Sequence, residues 1–332
     1  MAVIVKCNNG TVTDSYLEAI GEALSKIGEK VVFTKNVKNI NNSSRQEIVV
    51  VARLMDYLSV RIRGFKNIVM WFQGVEPEES YMSHQSKTRK CILEFIEKRA
   101  LKKSIFCYFV SQAMQEHYAR KYRIAFAPEK VFCMPCLNTG IHESTFHRDQ
   151  KYRKNIFVYV GSLAPWQKFE ETLDIYQKII TYGIQDIELR IYTPDQEKAR
   201  AIVKDKGIEN ATIGFVDNEH IPEVLSDVKF GFVIRDDNVV NNVATPTKLS
   251  TYLSCGVIPI YSRSLYDFYS IARNMRYAIC FDNEFKNKLL KLSKEQILNE
   301  EVYKEYKNVF DTYYNRDKYI DLAAQKMKKI LR

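Results

Sequence analysis

The residues best suited to chemistry gather between Arg235 and Ile260, reading RDDNVVNNVATPTKLSTYLSCGVIPI. This stretch follows an apolar run, Val228 to Ile234, that reads as a buried strand. Two Asp and three Asn fill the loop, and Thr245-Pro246 then predicts a helix start, with Thr as N-cap and Pro at the first helical position. Cys255-Gly256 closes that helix, and Val257 to Ile260 reads as the next parallel strand. A loop and a helix N-terminus therefore fall at the carboxyl edge of a parallel sheet, where open α/β folds bind ligands. Such a terminus offers N–H groups to an anion, and Lys248 adds a positive charge near it.

Two further strand ends carry polar loops. Ile156 to Val160 runs into Gly161-Ser162-Leu163-Ala164-Pro165-Trp166-Gln167-Lys168 before a helix over 169–181. A strand, a glycine and a short loop into a helix suit phosphate binding by backbone N–H groups, with Lys168 and Arg235 as counter-charges. Ile68 to Phe72 leads into Gln73-Gly74-Val75-Glu76-Pro77-Glu78-Glu79-Ser80, whose carboxylates can accept hydrogen bonds from a ligand's hydroxyls. The competing reading is that Glu78 and Glu79 charge the first turn of the following helix. His84 lies in the polar segment beyond, and Asn8-Asn9-Gly10 turns the chain after the first strand. His117, nearly two turns inside a helix capped by Ser111, reads as structural. Cys133 and Cys136 have CxxC spacing, but His142 follows too soon for a zinc finger and there is no second Cys pair.

These motifs carry a family resemblance. The Arg235–Ile260 stretch resembles the donor-binding segment of GT-B-fold glycosyltransferases, particularly retaining enzymes of family 4, with their P-x-K-x-x-E-Y-L-x-x-G-x-P pattern. Pro246, Lys248, Tyr252, Leu253 and Gly256 fit, and Pro259 comes one position late. Thr251 stands at the Glu that holds the ribose hydroxyls in that family, and Val243 at its other Glu. Trp71 to Ser80 is similar to the W-x-Q-G-x-x-P-E-E-S of capsule and O-antigen enzymes, and Val110, Ser111, Met114, His117 and Tyr118 fit V-S-x-x-M-x-x-H-Y. Gly161 to Lys168 resembles G-x-L-x-x-x-K, with Lys168 one residue late and Ser162 where Arg is frequent; Gly214-Phe215-Val216 resembles G-x-V.

The resemblance implies transfer of a sugar from a UDP- or GDP-linked donor to a hydroxyl of a glycan or lipid-linked acceptor, with retention, no metal and no further cofactor. It puts Lys168, Lys248 and Arg235 on the donor diphosphate. It puts Gly161, Ser162, Gly214, Phe215, Asn241, Asn242, Thr245, Thr247 and Thr251 around the rest of the donor. Gln73, Gly74, Glu78, Glu79, His84, Asn9 and Gly10 would meet the acceptor. With both motif carboxylates replaced, a GT-B-fold subunit that binds a partner without turnover is a second reading, and a nucleotide-sugar epimerase of related fold a third.

The elements that must position these residues alternate as βα units through most of the chain, which predicts α/β with two Rossmann-like parallel-sheet domains facing across a cleft. The expected boundaries are 1–150 for the acceptor domain and 151–316 for the donor domain, with 317–332 a helix returning to the first. Length is ample for two cores: 332 residues, 46% hydrophobic and 27% charged. A helix is expected over 47–63, although Val49-Val50-Val51 is β-prone, and 135–154 reads as an irregular linker. The N-terminus has no signal-peptide layout, no apolar run approaches a membrane span, and seven Cys in apolar settings suit reduced thiols in the cytosol.

Net charge is +10. Residues 1–150 carry 22 basic against 15 acidic side chains, a net of +7; the remainder, 28 against 25, carries +3. Lys87 to Lys103 alone holds seven basic residues and two Glu on one expected helix. It is either a solvated face or a contact for an anionic membrane surface or a diphosphate-linked acceptor. No RNA-binding signature, helix-turn-helix or finger spacing is present, so nucleic acid is not an expected partner.

Overall fold

Short runs of apolar, largely β-branched or aromatic residues form the strands, and nearly all of them read as continuous apolar stretches because helices cover both sheet faces. The computed structural model describes residues 1–6, 11–41, 45–137 and 139–331, with residues 11 and 12 by their backbone alone. They divide into two units: Met1–Asn138 with Asn242–Thr245 and Tyr314–Arg332, and Thr139–Asn241 with Pro246–Tyr313.

In the first unit, β1 (Ala2–Val5), β2 (Val31–Thr34), β3 (Ile48–Val51), β4 (Ile68–Phe72), β5 (Phe106–Phe109) and β6 (Val131–Cys133) make one sheet in the order β2-β1-β3-β4-β5-β6. All its pairings are parallel. Its helices are α1 (Thr11–Lys26), α2 (Leu54–Ile62), α3 (Glu76–His84), α4 (Lys87–Lys103) and α5 (Gln112–Tyr122). Ser86 and Ser111 cap α4 and α5, accepting from the N–H of Arg89 and Met114.

The second unit repeats the plan. Its strands β7 (Asn155–Val160), β8 (Ile187–Tyr192), β9 (Ala211–Gly214), β10 (Phe230–Val233), β11 (Ile258–Tyr261) and β12 (Ile279–Cys280) run in the order β12-β11-β10-β7-β8-β9. These pairings too are all parallel. Around them, in chain order, come α6 (Glu143–Phe146), α7 (Phe169–Ile180), α8 (Gln196–Asp205), α9 (Ile221–Leu225), α10 (Val239–Asn242), α11 (Thr247–Ser254), α12 (Tyr266–Ala272), α13 (Phe285–Lys294) and α14 (Asn299–Thr312). The last helix, α15 (Arg316–Leu331), belongs to the first unit and packs on α1. The fold is thus the expected α/β pair of parallel-sheet units with a returning C-terminal helix. Among the described residues no helix is long and apolar enough to cross a membrane.

Four local expectations fail. The helix over 47–63 is a strand followed by a helix, because Ile48 to Val51 is buried in the sheet between β1 and β4 and only Leu54 onward turns helical. The glutamate loop after β4 is already helical from Glu76, where Pro77 suits the first turn. Thr245 does not cap α11: Pro246 is the N-cap residue, and the Thr245 hydroxyl instead accepts the Cys136 N–H at 2.9 Å. Inside the expected irregular linker, 143–146 forms α6.

Candidate functional site

In the second sheet the strand order reverses between β7 and β10. The carboxyl ends of those strands flank the switch point, where a crevice opens in this class of sheet. Gly161 follows β7 at φ +132°, a backbone that side chains rarely adopt. Its missing Cβ matters sterically as well. A Cβ there would lie 2.7 Å from Lys248 Cε and 3.0 Å from Nζ, so the lysine reaches under the Gly161 backbone only because no side chain stands in its way.

Lys248 sits one residue into α11 with its Nζ 4.0 Å from the Tyr159 ring centroid. That nitrogen is sealed from solvent and has no hydrogen-bond partner. Burial, and secondarily the charge of Arg235, hold its pKa well below the usual lysine range. Tyr159 is fixed by its own hydroxyl, which donates to Ser162 O at 2.7 Å. Tyr252 of α11 accepts the Val160 N–H at 3.2 Å and so ties the helix to the end of β7.

Arg235, just past β10, is buried. Its guanidinium donates to Ile234 O at 2.8 Å, to Gln167 O at 3.2 Å and to the Gln167 side chain. Burial lowers its pKa to about 10. Among the described residues neither Lys248 nor Arg235 forms an ion pair with a carboxylate. Lys168 differs: it sits at the left-handed start of α7 and pairs with Glu171 and, at 3.0 Å, with Asp236, contacts that raise its pKa.

The other sequence-predicted donor residues are less concentrated. Ser162 and Gly214 offer their carbonyls, Gly214 O accepting the Thr193 N–H at 2.9 Å, and Phe215 is 56% exposed beyond β9. Asn241 is buried and turned inward, its amide donating to Asp236 O at 3.1 Å. Thr247 begins α11, whose N-cap residue Pro246 makes no side-chain cap, and Thr251 lies half-buried one turn on. Asn242 and Thr245 belong to the segment that clusters with the first unit, where Ser111 Oγ donates to Val243 O at 2.6 Å. Gln167 and Tyr159, which hold the two cations, were not singled out from sequence; only a three-dimensional contact marks them.

In the first unit the glutamate segment serves the scaffold directly. Glu76 accepts the Leu54 N–H at 2.9 Å, and so caps α2, whose own N-cap Arg53 makes no side-chain cap. Burial pushes its pKa to about 7. Glu79 accepts the Val75 N–H at 3.2 Å and lies over Gly74 so closely that a Cβ there would fall 2.0 Å from its Oε1; burial pushes its pKa to about 6. Glu78 pairs with Lys121 at 2.8 Å, and the same ammonium reaches Glu97 at 3.1 Å and Glu94 at 3.3 Å. Glu97 is fully buried against Tyr118, 2.9 Å away, and Tyr122.

Gln73 is half-buried, its amide donating to Ala52 O at 3.4 Å, and His84 is exposed at the end of α3. His117 Nε2 is buried with no hydrogen-bond partner, and burial lowers the pKa of its ring. Asn9 and Gly10 lie outside the described residues.

No family model and no curated protein matches this chain. Solved structures do match its fold. One is a mutant of S. aureus TarM in complex with Fondaparinux, alpha-GlcNAc-glycerol and UDP, at TM-score 0.65 and 13% identity, covering 88% of this chain and 56% of that one. The chain therefore spans little more than half of TarM. The lipopolysaccharide outer core galactosyltransferase WaaB aligns over 97% of this chain and 99% of its own at TM-score 0.58 and 13% identity. An E. coli trehalose-6-phosphate protein bound with UDP-2-fluoro glucose aligns over 99% and 98% at TM-score 0.64 and 10% identity. At such identities the likeness establishes a common fold, the GT-B pair of α/β units.

Proposed function

We propose that this chain is a glycosyltransferase that moves a hexosyl or N-acetylhexosaminyl group from a nucleoside diphosphate, UDP first among them, to a hydroxyl of a glycan or lipid-linked acceptor. The observation that carries the reading is the pair of buried cations, Lys248 and Arg235, without carboxylate partners at the switch point of the second sheet. Burial disfavours the charged form of both side chains, so a bound anion would stabilise that form. Several proteins of the same fold were solved with UDP or a UDP sugar, one of them, T4 phage BGT, with Mn2+ as well.

In this reading the acceptor hydroxyl oxygen bonds to the anomeric carbon as the bond from that carbon to the diphosphate breaks. The hydroxyl proton passes to the departing diphosphate, and the leaving oxygen's new charge is met by Lys248, Arg235 and the start of α11. Lys168, released from Glu171 or Asp236, adds a third cation. The first unit holds the acceptor beside Gln73 and the glutamate segment. Retention, metal independence, a role in surface polysaccharide synthesis and action at the cytoplasmic face are parts of the proposal taken from the motif resemblance.

Thermal shifts with UDP, GDP, CMP and dTDP and their sugars test it, on the wild type and on Lys248→Ala. A stabilisation by one nucleotide that the variant loses is the expected result. Val243 and Thr251, in place of the family's carboxylates, favour a second reading as a partner-binding subunit; no shift with any nucleotide would select it.

A further inference from the structure

The outward face of α4 has a composition that solvation alone does not explain. Lys87, Arg89, Lys98, Arg99, Lys102 and Lys103 are all exposed, whereas neither carboxylate of the helix is: Glu97 is buried, and Glu94 is half-buried against Lys90 and Lys121. Between the two groups of cations stand Ile92, 56% exposed, and Phe95, 61% exposed. At 3.6 residues per turn Ile92, Phe95, Arg99 and Lys102 form one stripe along a helix about 25 Å long. Arg99 lies over the Phe95 ring at 4.9 Å, so cation and aromatic ring present together. Beside α4, α2 is joined to it by Tyr57 Oη and Arg99 O at 3.2 Å, and it exposes Met55 and Ile62 at 56% and 76%.

We propose that this face docks the first unit on an anionic lipid bilayer, with Ile92 and Phe95 entering the headgroup boundary and the surrounding Lys and Arg side chains meeting lipid phosphates. The chemistry of the face selects that partner. A helix lying in the interface needs an apolar stripe with basic flanks. The cationic excess complements a negative leaflet and no exposed acid on α4 opposes it. A bilayer also asks for no shape-matched groove. The inference does not rest on the transferase reading, since vesicle binding requires neither donor nor turnover.

Co-sedimentation of the full chain with phosphatidylcholine vesicles and with equimolar phosphatidylcholine–phosphatidylglycerol vesicles tests it. The wild type is expected to bind the anionic vesicles at least about tenfold more tightly and to be released by salt. Replacing Lys98, Arg99, Lys102 and Lys103 by Gln should weaken partition roughly a thousandfold. Ile92→Ser with Phe95→Ser should weaken it about tenfold while leaving the salt dependence. Circular dichroism checks that the variants fold, and the salt titration of the wild type needs no variant. Equal sedimentation with both vesicle types would overturn the proposal. So would binding to a soluble polyanion such as heparin without vesicle binding, or a dimer that the Ile92/Phe95 variant dissociates in a protein that ignores vesicles.

Discussion

Lys248 brings an ammonium group to a place where burial and Arg235 both disfavour its charge. A diphosphate at the end of β7 would reverse that balance and raise the pKa, so donor binding should take up a proton. The sign is then fixed: affinity is greatest below the free-state pKa and falls, by up to about tenfold per pH unit, until the bound-state pKa is passed. Titration calorimetry with UDP in buffers of different ionisation enthalpy should show uptake in the wild type and, at UDP concentrations high enough to saturate the weaker site of Lys248→Met, none in that variant. Uptake undiminished in the variant would assign the proton elsewhere. Gly161→Ala should weaken UDP binding, because its Cβ would meet Lys248 Cε at 2.7 Å and displace the ammonium, and the φ of +132° strains any side chain, at a stability cost of about 1–3 kcal/mol. Unaltered UDP affinity in that variant would mean Lys248 does not approach the ligand from beneath Gly161.

Elements were legible where local periodicity decides and illegible where distant partners do. The apolar runs at 68–72, 156–160 and 228–234 each yielded a strand, and Lys87–Lys103 a helix with the expected ends. Ile48 to Val51 did not, because an apolar run of four is compatible with either state until its neighbours β1 and β4 are known. Thr245-Pro246 has every local mark of a helix start, yet its hydroxyl serves Cys136, more than a hundred positions away. Lys248 was legible as a cation near a helix start, but its burial against Tyr159 and Gly161 was not. The Glu78–Lys121–Glu97 grouping had no sequence signal, since its members lie on three helices.

Glu76 offers a test at this level, because one side chain from α3 caps α2. Its pKa of about 7 is raised above the ordinary 4.5 by burial. The stability linked to its proton is therefore fully present below about 4.5 and is lost as pH rises through about 7. Glu76→Gln keeps an acceptor for Leu54 N–H without the charge, so in urea unfolding it should equal or exceed the wild type at pH 8. Glu76→Ala removes the cap and should lose about 1 kcal/mol. A glutamine variant as unstable as the alanine one would mean the carboxylate charge, not the hydrogen bond, holds α2.

At the scale of the whole chain, each unit has its own sheet and core, and the last helix completes the first of them. Ile320, Ala323, Ala324 and Met327 of α15 are buried, and Tyr108 Oη lies 3.6 Å from Met327 Sδ. Lys326 Nζ donates to Pro128 O at 3.0 Å and Val131 O at 2.9 Å, and the rim pairs Arg316–Glu22 and Lys26–Asp321 are solvent-facing. Such surface pairs contribute little, whereas truncating a buried Met to Ala costs about 2–5 kcal/mol. Met327→Ala should therefore lower the unfolding midpoint of the first unit, and Asp321→Ala should leave it nearly unchanged. On the proposed reading UDP binds the second unit, and it should then raise only that unit's midpoint. Scanning calorimetry of Met327→Ala with saturating UDP then separates the two effects: one transition moves down with the mutation and the other up with the nucleotide. A single transition that responds to both would mean that the two units unfold as one cooperative body and that α15 contributes to the stability of the whole chain, not of the first unit alone.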